Sequence, residues 1–156
     1  MFFKKRKKIN IAPDFLLFED KYWSVNQRLD TNYPGYLIIS AKEGSELISD
    51  LSCEALIQLG PKLAELEKLI IEKLKPKNVI ITKLGFSKGF DCHFHVIPVY
   101  KWVWSEIRKH PKYLNEQPDG ADFVQFITRE YCEYDEPLPI DAESKELAIS
   151  KLKGCA

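Results

Sequence analysis

The sequence predicts an α+β domain: a five-stranded antiparallel sheet with one long helix, followed by a C-terminal helical extension. Three observations lead there. Five short segments rich in Val, Ile, Leu and aromatic residues are bounded by turn residues. One stretch carries apolar residues at helical spacing, and the last third of the chain changes to shorter helical patterns.

The elements follow in order. Phe15 to Phe18 and Tyr22 to Asn26 read as a hairpin around Glu19-Asp20-Lys21. Pro34-Gly35 signals a turn, and Tyr36-Leu37-Ile38-Ile39-Ser40 after it reads as a buried strand. Ser52 is placed to cap the long helix, expected from about Ser52 to Lys75, in which Leu56, Leu59, Leu63, Leu66, Ile70 and Leu74 recur at three- and four-residue spacing. Gly60-Pro61 is expected to kink or split it, because proline removes a backbone donor. Strands are then expected over Asn78 to Leu84 and Cys92 to Tyr100, joined by a loop with Gly85 and Gly89. Beyond Tyr100 the pattern is less regular, with helices expected over Ala121 to Glu133 and Ala142 to Lys153. This divides the chain into a basic arm (1–14), a sheet-and-helix domain (15–105) and a helical extension (106–156) packed on the same domain.

Composition narrows the function. Lys plus Arg equals Asp plus Glu at 23 each, so no global field favours nucleic acid or a membrane surface, and any polyanion site must be local. The 4 cysteines (Cys53, Cys92, Cys132, Cys155) lack paired spacing, which argues for reduced thiols in a cytoplasmic protein rather than a disulfide framework. No apolar run approaches the ~20 residues that span a bilayer. The basic start Phe3-Lys4-Lys5-Arg6-Lys7-Lys8 has no apolar signal region after it and reads as a solvated terminus rather than a nucleic-acid arm.

The chemistry concentrates in one strand. Of 3 histidines, two lie two apart in Asp91-Cys92-His93-Phe94-His95-Val96-Ile97-Pro98. Alternation puts Asp91, His93, His95 and Ile97 on one face, and Cys92, Phe94, Val96 and Pro98 on the other, under the helix. Three readings stand open for that row. The residues are satisfied surface or core groups; or His-x-His is half of a zinc site, completed by Asp91, His110 or remote carboxylates; or one imidazole attacks phosphorus while neighbours set its tautomer and steer charge. The row is expected to open into a cleft, with Ser87 at its rim and the Trp23–Arg28 strand opposite.

At these residues the chain resembles the histidine triad (HIT) family. His93-Phe94-His95-Val96-Ile97-Pro98 is similar to the latter part of its histidine-x-histidine-x-histidine signature, and Tyr33-Pro34-Gly35-Tyr36-Leu37-Ile38-Ile39 to its Pro-Gly-His turn and third strand. The order of strands and helix also agrees, over roughly residues 15 to 105. The resemblance implies that His93 is the nucleophile and that His95 contacts the phosphate and leaving group. The first histidine of the triad falls on Asp91, the auxiliary histidine after the turn on Tyr36, and the glutamine before the triad near Ser87; all three are departures. A ribose-binding acid or amide falls near Arg28 by ungapped counting, or on Asn26 if the loop carries an insertion. Asp91 is expected either to replace the first histidine as orienter or to mark weakened catalysis. Arg28, Lys83 and Lys88 are local cations able to offset substrate charge. Trp102 and Trp104 fall where some relatives place tryptophan near the nucleotide.

The resemblance implies hydrolysis or transfer at the α-phosphate of a dinucleoside polyphosphate or nucleoside phosphoramidate, through a nucleotidyl-histidine. The alternative is a catalytically silent nucleotide-binding or scaffold protein that keeps the pocket. No cofactor is expected, magnesium entering only with the substrate. The partners expected are the nucleotide and a second copy of the chain, a homodimer through the long helix and adjacent strand, with neither membrane nor nucleic acid.

Overall fold

Period-two alternation of apolar residues builds the sheet. In the computed structural model, which describes residues 10–85, 89–133 and 135–154, the strands are β1 (Leu16–Glu19), β2 (Trp23–Gln27), β3 (Leu37–Ala41), β4 (Asn78–Thr82) and β5 (His93–Val99). Every neighbouring pair is antiparallel, in the order β1-β2-β3-β5-β4. The basic arm lies largely outside the described residues.

Between β3 and β4 runs helix α1 (Cys53–Leu74), capped as expected by Ser52, whose Oγ accepts from the Ala55 N–H at 3.2 Å. It is continuous, so the split expected at Gly60-Pro61 does not occur. Pro61 stands on the exposed side, one turn after Ile57, which is 74% exposed. The carbonyl that proline leaves without its helical donor can therefore turn to water, and the helix absorbs it without breaking.

The segment after Tyr100 is more regular than its sequence pattern predicts. Helix α2 (Lys101–Ile107) follows the histidine strand directly. The helix expected over Ala121 to Glu133 is α3 (Gly120–Ile127), opened by an Asp119–Asp122 capping box and continued by a π-helical turn over Thr128–Cys132. Helix α4 (Ala142–Leu152) is close to its expected span. Cys53, Cys92 and Cys132 are free thiols. Among the described residues no helix is long and apolar enough to cross a membrane.

Both sheet faces are used. On one, Trp23, Val25, Leu37, Ile39 and Val96 pack with Ala55, Leu66 and Ile70 of α1 and Leu152 of α4. The Trp23 indole donates to the Ala55 carbonyl at 3.0 Å, tying sheet to helix. On the other, Tyr33, Tyr36, Ile97 and Val99 meet Val103 and Ile107 of α2, Phe123, Phe126 and Ile127 of α3, and Tyr131. The extension thus roofs one half of the histidine face and leaves the other half to the site.

The turn before β3 is locked from several sides. Buried Gln27 accepts from the Gly35 N–H at 3.0 Å and donates to the Tyr33 carbonyl at 2.9 Å. Tyr100 donates to the Pro34 carbonyl, and Tyr33 to that of Pro98. Gly35 has φ +70°, and a Cβ there would collide with Leu74 Cδ1. Gly35→Ala combines left-handed backbone with overpacking and is expected to cost about 2–3 kcal/mol of stability, read as a lowered midpoint in urea with unchanged slope.

Candidate active site

Pairing across the sheet arranges the site in rows. Directly opposed residues of adjacent strands share a face, so Ser24, Ser40 and His93 form one row, and Asn26, Ile38, His95 and Thr82 the next. His93 is half-buried and His95 is 8% exposed, with ring centroids 5.1 Å apart in a T-shaped arrangement. Both lie on the face away from α1, as their parity predicts. Phe90 sits edge-on to His93 at 6.2 Å.

His93 Nδ1 lies 2.8 Å from the backbone carbonyl oxygen of Asp91. A carbonyl only accepts, so Nδ1 carries the proton and Nε2 holds the free lone pair. The Asp91 atom in this contact is therefore its main-chain oxygen, whereas the carboxylate was the group expected to orient the ring. Asp91 also precedes β5, which begins at His93. Cys92 faces the α1 core, where burial raises its thiol pKa.

His95 Nδ1 is 3.0 Å from the Tyr36 hydroxyl, and Arg28 Nη1 donates to that same oxygen at 3.2 Å. Arg28 is itself buried. Its guanidinium grips Asp30 through Nε at 2.7 Å and Nη2 at 3.1 Å, and Nη2 reaches Glu133 at 3.3 Å. It also lies over the Tyr36 ring, 5.0 Å from the centroid. Burial first, then the nearby His93 and Arg28, push the His95 pKa down to about 4. Burial lifts Tyr36 to about 12, against the opposing pull of Arg28. Arg28 stays charged throughout, its pKa raised on balance by its acidic partners against the opposing effect of burial.

The sequence-predicted site residues fare differently. His93 and His95 come together, and Asn26 stands across β3 from His95, its amide donating to the Gln27 carbonyl at 2.7 Å. Arg28 is held by acidic side chains and Tyr36 rather than standing free for a ligand. Lys83 follows β4, close enough to Cys92 to influence its thiol. Ser87 and Lys88 lie outside the described residues. His110 is remote, and among the described residues no group of three or more His, Cys, Asp or Glu side chains could hold a metal. A cavity of about 370 Å³ lined by His110, Lys112, Gln125, Arg129 and Glu133 does not include His93 or His95. Ser40 and Thr82 were not anticipated, and Ser24 only as part of the Trp23–Arg28 strand, where the alternation Ser24-x-Asn26-x-Arg28 was the available signal.

No protein-family model matches the sequence, and no curated protein matches it. Solved structures do resemble its fold. A Hit-like protein involved in cell-cycle regulation from Bartonella henselae superposes with TM-score 0.58 at 13% identity, covering 93% of this chain and 88% of that one. The diadenosine triphosphate hydrolase of Plasmodium falciparum, solved with Cyclomarin A, gives 0.60 at 12% identity over 96% and 80%. A histidine triad protein of Bradyrhizobium japonicum gives 0.59 at 19% identity over 89% and 87%. The chain has the fold of the histidine triad proteins, with the antiparallel sheet and helix that the resemblance implied.

The depressed His95 pKa has a consequence for stability. The unfolded imidazole, near 6.5, takes a proton more readily than the folded one at about 4. Stability is therefore full above about pH 6.5 and falls as pH drops towards 4, by about 3 kcal/mol at pH ~4. In urea titrations at pH ~7 and pH ~4, the wild type should lose about that much more than His95→Gln.

Proposed function

We propose that this protein cleaves or transfers at the α-phosphate of a dinucleoside polyphosphate or nucleoside phosphoramidate through a nucleotidyl-histidine. The observation that carries the reading is the Asp91 carbonyl on His93 Nδ1, which leaves Nε2 as the nucleophilic nitrogen. The likeness to a fold that includes a diadenosine triphosphate hydrolase supports the substrate class.

In the first step Nε2 of His93 attacks phosphorus in line, the N–P bond forms, and the bond to the leaving group breaks with its electron pair. The leaving group departs as a nucleotide, or as an amine that takes a proton from solvent water. Water or another acceptor then attacks the nucleotidyl-histidine and restores His93. His95 faces the developing charge on the phosphoryl oxygens. Asn26, one strand over, lies where an amide could meet the ribose. Magnesium enters as a complex with the substrate.

His93→Ala removes the covalent route and should lower turnover by at least ~1000-fold, about 4 kcal/mol in the barrier. His95→Ala should cost less and leave nucleotide affinity measurable. The assay follows nucleoside monophosphate release from a panel of dinucleotides and phosphoramidates, with mass spectrometry for the covalent adduct on His93. Binding without turnover by the wild type would select the silent nucleotide-binding module instead.

The reading extends to a homodimer through α1 and β4. Strand β4 lies at the sheet edge, α1 packs beside it, and Ile57 and Ile71 on the helix are 74% and 51% exposed. Ile71→Asp should shift the wild-type dimer towards monomer in sedimentation equilibrium. A wild type that sediments as a monomer throughout would remove this part of the proposal.

A further inference from the structure

A buried cation reaches the histidine row through a tyrosine. The protons available along this contact determine its direction. The guanidinium has only donors, so Arg28 Nη1 occupies a lone pair of the Tyr36 oxygen. The phenol has one proton to give, and His95 Nδ1 stands 3.0 Å away. Thr128 Oγ1, also buried, lies near enough to act on the phenol but has no hydrogen bond of good geometry, and its effect on Tyr36 is that of a second donor rather than an acceptor. In the opposite arrangement Tyr36 would accept from both Arg28 and His95, and its own proton would be left with only the poorly placed Thr128 oxygen inside the protein, a cost of about 1–3 kcal/mol.

We propose that Arg28 and Tyr36 are positioning residues that hold His95 as the Nε2–H tautomer, so that it offers a fixed neutral donor beside the nucleophilic nitrogen of His93. The catalytic use of that donor rests on the phosphoryl-transfer reading; the tautomer itself does not.

The surroundings support the neutral form. His93 on the same strand and Arg28 behind β2 both disfavour a second positive charge, and Asp30 alone works the other way. Asp30 and Glu133 are more than half exposed and already paired with Arg28. Cys132, pushed up to about 11 by burial, stays an uncharged thiol. The positive charge thus remains one side chain behind the row, polarising Tyr36 and, through it, the donor on His95. A neutral, oriented donor strengthens as charge develops on the phosphoryl oxygen.

The test is a two-bond proton–nitrogen correlation spectrum of the 15N-labelled full chain, with His95→Gln to assign the signals. In the wild type, between about pH 5 and about pH 8, Nδ1 of His95 should show the unprotonated signature and Nε2 the protonated one. Tyr36→Phe should convert this to a tautomer mixture and lower kcat about tenfold with little change in KM. Since Tyr36 is buried, Arg28→Gln provides a second variant whose carboxylate partners are exposed; it should raise the pH at which His95 titrates. A protonated Nδ1 in the wild type, or a tautomer unchanged in Tyr36→Phe, or an unmoved titration in Arg28→Gln, overturns the proposal. If the spectra agree but no nucleotide is ever turned over, the phosphoryl-transfer reading falls and the positioning stands.

Discussion

The register between β3 and β5 is the constraint from which the site follows. With Ile38 opposite His95 and Ser40 opposite His93, both imidazoles face away from α1, and the apolar set Leu37, Ile39 and Val96 faces it. A slip of one residue would exchange these sets, burying two polar rings under the helix and exposing the core residues to water. Each buried aliphatic side chain contributes about 1.5–3 kcal/mol, so the hydrophobic faces hold the histidines in place without contacting them. The same pairing brings Tyr36, just before β3, against His95.

The C-terminal segment then decides how wet each position is. Ile97 and Val99 lie under α2 and α3, His95 sits at the margin, and His93 lies beyond it. Arg28 fastens that margin. Its contact with Glu133, and the Thr31 hydroxyl on the Tyr131 carbonyl at 2.7 Å, join the loop after β2 to the end of the π-helical turn. Burying a guanidinium here is tolerable because the Asp30 carboxylate meets it with two hydrogen bonds and still reaches solvent on its far side.

What was legible in the sequence was what is encoded locally. Strand alternation, the leucine spacing of α1 and its serine cap depend on neighbours within one or two turns, and they located both histidines on the correct face. Helix α2 was not legible because Trp102, Val103 and Trp104 are weak helix formers and Tyr100 offers no side-chain cap. At Pro61 the helix does not split, because exposure decides whether a lost bond matters. At Asp91 the ionisable side chain is what the sequence displays, while the oxygen on His93 belongs to the backbone, which every residue carries. The Arg28–Tyr36–His95 chain ends on a histidine 59 positions beyond Tyr36, and no local pattern announces that link.

The topology also bears on when this site comes into being during folding. The meander β1-β2-β3 and the β4–β5 hairpin are each built from nearby segments and can form early, whereas β3 and β5 meet only after the chain has closed the long excursion through α1. Asn26 belongs to the first unit and His93 and His95 to the second. Neither half contains the row by itself. The complete polar surface therefore depends on that long-range pairing, and a half-assembled chain holds only separate fragments of it.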